Sequence, residues 1–200
     1  MTILYLARHG ETDWNAEHRW QGHADPPLNA TGRRQARRMA DELSGRGIEA
    51  VYSSDLRRAL ETATIAGERL GLDVRTDERL REVDVGEWSG LTMAEVEERH
   101  PEAAARRRAG GLGWERGETF ESMGARVGEA VLAIAAAHPD GRVLVVSHGG
   151  PIRMLRRSAG YPPGAPALVG NCEVGEIAVR REQIRWLDSS RGGLHQQVQR

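Results

Sequence analysis

Two histidines stand where the chain leaves an apolar run. His9 follows Thr2–Ala7 and is preceded by Arg8, and His148 follows Arg142–Ser147. Each is followed by glycine, so each imidazole marks a strand end where the chain turns. An imidazole beside a cation, with Asn15 a few residues on, suits a nucleophile that accepts a phosphoryl group. Two buried parallel strands ending in His-Gly would bring both rings to one rim. A second cation comes from Arg57 or Arg58, which open a helix directly after Ser53-Ser54-Asp55. Successive helical residues point about 100° apart, so only one of that pair reaches the site. The N–H groups at the same helix start also favour an anion. Guanidinium and imidazole groups gathered at one point are costly without an anion between them, and each Arg–phosphate bond contributes roughly 1.5–3 kcal/mol. A departing alkoxide needs a proton, which a carboxyl in a part-dry pocket can supply. Glu82 is the proposed acid; Asp84 and Glu87 rival it on spacing alone.

The elements that must position these groups alternate. Thr2–Ala7, 49–53, 73–76 and 142–147 are apolar enough for strands, the last most strongly through Val143, Leu144, Val145 and Val146. Helical spacing is predicted over 31–44, 56–70, 92–100, 118–138 and 151–158. Pro101 is expected to stop the third of these. Residues 106–117, rich in Arg and Gly, read as a mobile, lid-like loop within an insertion over 101–117 that sets specificity. Residues 176–180 and 183–187 alternate apolar and polar, as in an antiparallel hairpin at a sheet edge. Residues 161–166 read as loop. The expected architecture is an α/β sandwich with a mostly parallel sheet. One domain over 1–190 is expected, with a polar tail over 191–200.

Composition narrows the chemistry. All 28 Lys+Arg residues are arginine, which excludes Schiff-base chemistry and any phosphate loop ending in Gly-Lys. A net charge of -1 offers no global field for nucleic acid or membrane. Cys172 is alone, flanked by Asn171 and Glu173, and makes a poor nucleophile. No signal pattern or membrane-length run is seen, so a cytoplasmic protein is expected. Gly-x-Ser-x-Gly, His-Glu-x-x-His and Cys-x-x-Cys are missing. His18 and His23 flank Trp20-Gln21-Gly22 and suit an exposed rim better than a metal site. Trp14, Trp20 and Trp114 either line a pocket or pack in the core.

Taken together, the motifs resemble those of the histidine phosphatase superfamily. The resemblance rests on Arg8-His9-Gly10-Glu11-Thr12 with Asn15, and on Arg19-Trp20-Gln21-Gly22 with Asp25, Pro27, Leu28, Asn29 and Gly32. It continues through Ser53-Ser54-Asp55-Leu56-Arg57-Arg58-Ala59, Leu80-Arg81-Glu82, Gly117-Glu118-Thr119 and Val146-Ser147-His148-Gly149-Gly150 with Arg153. It implies a three-layer α/β/α sandwich. It also implies His9 as the residue that becomes phosphohistidine, Arg8, Arg58 and His148 as the phosphate pocket, and Glu82 as general acid. Asn15 and the Gly149 N–H are implied as added donors, with Gln21 and Gly22 near the leaving group. Neither metal nor cofactor is implied. The partner is a small phosphomonoester, and a homodimer is left open. The region after the acid motif is short compared with the family's mutases, which favours water as acceptor and hydrolysis over phosphoglycerate mutation.

Overall fold

The computed structural model describes residues 1–161 and 169–187. The loop expected over 161–166 lies outside them save for its first residue, and so does the polar tail.

Six strands form one sheet in the order β3-β2-β4-β1-β5-β6. They are β1 (Thr2–Arg8), β2 (Ala50–Ser53), β3 (Val74–Thr76), β4 (Arg142–Ser147), β5 (Val174–Arg180) and β6 (Gln183–Leu187). The first four are mutually parallel where they pair, whereas β5 runs antiparallel to β1 and β6 antiparallel to β5. Burial on both faces explains the unbroken apolar runs of β1 and β4. Leu4, Leu6, Val143 and Val145 point to one face, and Tyr5, Ala7, Leu144 and Val146 to the other.

Helices cover each face. Helices α2 (Ala30–Leu43) and α3 (Arg57–Leu70) pack Met39, Ala40, Leu43, Ala59, Ala63 and Ala66 against Tyr5, Val51 and Leu144. Small residues dominate α3, so it sits close on the sheet. Helices α6 (Phe120–Ala137) and α7 (Gly149–Ser158) cover the other face with Met123, Val127, Ile152 and Leu155. The fold is therefore a mixed α/β/α sandwich, mostly parallel, with an antiparallel edge, as expected. Among the described residues no helix is long and apolar enough to cross a membrane.

One expectation fails. Pro101 does end α4 (Met93–Arg99), but it also begins α5 (Pro101–Arg108), where the mobile loop was expected to start at Arg106. Proline is tolerated at a first helical position because its missing N–H has no intrahelical partner there. Arg106, Arg107 and Arg108 thus occupy a last helical turn, where cations face the negative end of the helix dipole.

Candidate active site

Register places the two histidines. Arg8 of β1 lies opposite Ser147 of β4, so the next residues, His9 and His148, emerge side by side at the carboxyl ends of the strands. Their ring centroids are 5.2 Å apart, near the usual strand spacing of about 4.8 Å. Both are buried. A helix of one turn, α1 (Asp13–Ala16), follows His9, capped by Thr12. The exit loop passes tightly over the start of α2: a Cβ on Gly32 would stand 2.1 Å from the Glu11 carbonyl oxygen. Asn29 caps α2 and its amide donates to Glu11, tying the loop down.

The His9 ring orientation is set by its neighbour. Nδ1 lies 2.7 Å from the Gly10 carbonyl, which only accepts, so Nδ1 carries the proton and Nε2 keeps its lone pair. His148 Nε2 lies 2.9 Å from Ser54 Oγ. That oxygen also accepts from the Leu56 N–H at 3.3 Å. Burial holds the His9 imidazole well below its ordinary pKa, with Arg58 and Arg8 pushing the same way and the Gly10 contact opposing. Burial does the same to His148, aided by Arg58, His9, Arg8 and Arg126. Both rings are neutral near pH 7.

Arg58 is the member of its pair that turns inward; Arg57 is exposed. The Arg58 guanidinium donates to the carbonyls of Ala24 (2.6 Å) and Gly22 (2.8 Å). Burial pushes it from 12.5 down to about 10 against the opposing pull of Glu82 and Asp25. Arg8 donates to the Val169 carbonyl at 2.6 Å, and burial lowers its pKa too. Arg8 Nε and Arg58 Nε are buried donors without a partner among the described residues; the His148 Nδ1 ring nitrogen and the Gln21 Oε1 acceptor are buried and unpartnered too. Buried polar groups are ordinarily satisfied. Two unsatisfied guanidinium donors in one cavity with His9 suit an oxyanion.

A cavity of about 450 Å³ opens over them. Arg8, His9, Asn15, Gln21, Gly22, Arg58 and Glu82 line it; His148 and Gly149 do not. His148 is buried with its ring against that of His9. Gly149 starts α7, while the next N–H, that of Gly150, donates to Glu82 at 3.1 Å. Glu82 also accepts from the Val83 N–H at 2.9 Å. Its rivals are elsewhere: Asp84 bonds the Gly86 N–H, and Glu87 bonds the N–H groups of Glu115 and Arg116. The start of α3 is not open to an anion as expected, because the Asp25 carboxylate accepts the Arg57 N–H. Of the tryptophans, Trp14 and Trp20 line the cavity while Trp114 is buried against Trp88. His18 reaches the cavity mouth, and His23 donates through Nε2 to the Glu82 carbonyl at 2.8 Å. Burial pushes the Cys172 thiol up to about 12, in keeping with a poor nucleophile.

Two groups escaped the sequence reading. Arg126 donates to the carbonyls of Arg79, Arg81 and Glu82, each at 2.8 Å, and its orientation is set by Glu118. It clamps the segment that carries Glu82. The available signal was the single cation of α6. Asn171 donates to the His9 carbonyl at 2.9 Å, and nothing in its local sequence marks it.

An α/β sandwich with a histidine pair and buried guanidiniums at its strand ends defines a class of oxyanion-handling proteins. The model of the histidine phosphatase superfamily (branch 1) matches residues 4–190. A glucosyl-3-phosphoglycerate phosphatase of Mycobacterium tuberculosis is 40% identical over 185 residues, covering 84% of this chain and 80% of that protein. Phosphoglycerate mutase-like protein 4 of Arabidopsis thaliana is 42% identical, covering 78% and 70%. A bifunctional protein of M. tuberculosis is also 42% identical, but the match spans 44% of its length. The solved structure of Bacillus stearothermophilus YhfR superposes with a TM-score of 0.85 at 34% identity, covering 93% of this chain and 95% of that one. The chain belongs to the histidine phosphatase superfamily.

Proposed function

We propose that the protein is a phosphatase that hydrolyses small phosphomonoesters through a phosphohistidine on His9. The observation that supports this reading is that Arg8 and Arg58, each with an unpartnered buried Nε, line one cavity with a neutral His9, against which His148 packs. The glucosyl-3-phosphoglycerate phosphatase among its relatives supports the same reaction type.

In the first step His9 Nε2 attacks phosphorus in line. The P–O bond to the leaving group breaks, and that oxygen takes the Glu82 proton. In the second step a water oxygen attacks the phosphohistidine, the P–N bond breaks, and Glu82 takes the water's proton. Inorganic phosphate leaves. Arg8, Arg58 and His148 donate to the equatorial oxygens as charge spreads over them. Asn15 is fixed for a similar part: its Oδ1 accepts the Thr12 N–H at 3.1 Å, which turns the amide NH₂ away from that bond. Gln21 and Gly22 stand where the leaving group emerges. The guanidinium pair supplies the positive charge that the transferring group requires, so the scheme needs neither metal nor organic cofactor.

Trapping tests this. Quenching with substrate should yield an acid-labile, alkali-stable phosphoryl adduct, absent from His9→Ala, which should also lose turnover. Full activity in His9→Ala with no trappable adduct would overturn the scheme. Interconversion of phosphoglycerates, stimulated by a bisphosphorylated compound and without phosphate release, would instead assign a mutase.

A further inference from the structure

The carbonyl oxygen of Glu82 accepts two bonds, one from His23 Nε2 and one from Arg126 Nη2, each at 2.8 Å. A carbonyl only accepts, so Nε2 of His23 carries a proton. His23 is half-buried and does not line the cavity. Its one side-chain bond among the described residues therefore goes to the backbone of the acid, not to the space that a substrate fills.

The peptide between Glu82 and Val83 carries that bond to the carboxyl group. A trans peptide is planar, and its C=O and N–H point opposite ways. His23 and Arg126 fix the C=O side. On the other side the Val83 N–H donates to Glu82 Oε1 at 2.9 Å, and the same oxygen accepts the Gly150 N–H at 3.1 Å. Turning this peptide turns one of the two donors that hold the carboxyl group. Arg126 reaches it from α6 and spreads its donors over the carbonyls of Arg79 and Arg81 as well. His23 reaches it from the loop before α2. That loop also holds the phosphate cradle: the carbonyls on either side of His23, those of Gly22 and Ala24, both accept from Arg58. Gly22 passes so near the acid segment that a Cβ there would stand 2.7 Å from Val85 Cγ2. His23 thus joins the loop that grips the guanidinium to the segment that carries the acid.

We propose that His23 is a positioning residue for the acid, which fixes the Glu82 carboxyl group relative to Arg58 by bonding the Glu82 carbonyl and without touching substrate. This rests on the reading above, in which Glu82 protonates the leaving oxygen. An alkoxide needs that proton, whereas a nitrophenolate departs as a stable anion without it.

Benzyl phosphate and 4-nitrophenyl phosphate present similar rings and differ in that need. The measurement is kcat/KM, which covers P–O cleavage and not the later hydrolysis, in the wild-type protein, Glu82→Gln, His23→Leu and His23→Gln. Leucine removes the donor, and glutamine keeps an N–H at similar reach. His23→Leu should lose about 10- to 100-fold on benzyl phosphate and less than ~3-fold on 4-nitrophenyl phosphate. Its dissociation constant for inorganic phosphate should stay near normal, and His23→Gln should recover most of the benzyl phosphate rate. Equal losses on both esters with weakened phosphate binding would show that His23 serves only the loop around Arg58, and would overturn the proposal. Unchanged rates in His23→Leu overturn it too, as does a His23→Gln variant equally poor on benzyl phosphate. Should thermal melts show His23→Leu unfolded, His23→Asn replaces it: a polar side chain that is too short for the same carbonyl, with the same outcomes expected. Glu82→Gln separates the two readings. Equal losses on both esters in Glu82→Gln remove the acid role and the His23 role with it, whereas a split there and none in His23→Leu removes His23 alone. If neither ester is turned over, the phosphatase reading fails separately. Amide hydrogen exchange over residues 80–85 then decides: faster exchange in His23→Leu, restored in His23→Gln, supports the bond's positioning role, and unchanged exchange overturns it.

Discussion

Arg58→Met strikes the anion cradle at its most buried point. The substitution keeps the aliphatic stem and removes the charge. Burial pushes this guanidinium from 12.5 to about 10, which at ~1.36 kcal/mol per power of ten is a cost of roughly 3 kcal/mol to the ligand-free fold. The sign is unfavourable at every pH below about 10, because the side chain is charged there in both folded and unfolded chains. Methionine relieves that cost. It also strips the donors from the Gly22 and Ala24 carbonyls, at about 1–3 kcal/mol for each acceptor left dry. At mid-range the two effects nearly cancel, about 3 kcal/mol relieved against about 4 lost, so the ligand-free melting temperature should fall by about 2–4 °C. The anion has no such compensation. Losing one charged donor to the transition state should lower kcat/KM by about 10²–10³. The assay is turnover of a phosphomonoester together with thermal melts with and without inorganic phosphate. The expected result is a near-normal melt, no stabilisation by phosphate and a large rate loss. A variant that phosphate still stabilises fully, with less than a ~10-fold rate loss, would refute the cradle.

Acid should destabilise the protein through its two buried imidazoles. Their folded pKa values are depressed, so below about 6.5 the unfolded chain binds protons that the native state refuses, and stability present above that pH is lost as pH falls. Urea midpoints between pH 7 and 5 should decline, and His148→Asn should remove about half of the slope; an unchanged slope counts against neutral rings. Arg126→Met should lower kcat while leaving the inorganic phosphate dissociation constant near its normal value, since it releases the Glu82 segment and leaves Arg8 and Arg58 in place. A parallel loss of phosphate binding would show that its grip extends to the whole cradle. Gly32→Ala should cost at least ~2 kcal/mol in chemical denaturation, because the added Cβ meets Glu11 backbone at 2.1 Å. A neutral result would mean the exit loop yields freely.

Much of the fold was legible because its strands are buried on both faces. The run Arg142–Ser147 needs no partner to be recognised, and β4 spans those same residues. Gly71 was readable as a helix end, and it closes α3 in the left-handed conformation, φ 70°. Residues 101–117 were not legible. A proline that stops one helix and starts the next gives the same local signal as one that only stops it, and packing of Ala103 and Ala104 against the core decides the matter. The acid shows a similar limit. Glu82, Asp84 and Glu87 lie within one short stretch, and spacing alone could not rank them. The distant N–H groups of Gly150 and Glu115 capture Glu82 and Glu87, the nearby Gly86 N–H captures Asp84, and of the three carboxylates only Glu82 lines the cavity.

Residue types and strand ends were sufficient to predict an Arg-His nucleophile, a second imidazole, an acid and a parallel sheet beneath them, since these follow from local pattern and chemical need. Tertiary structure alone decided which ring nitrogen of His9 is free, and that Arg126 and Asn171 hold the backbone beneath Glu82 and His9. Those outcomes depend on strand register and on carbonyls contributed by distant segments. Neither is written in the neighbouring residues.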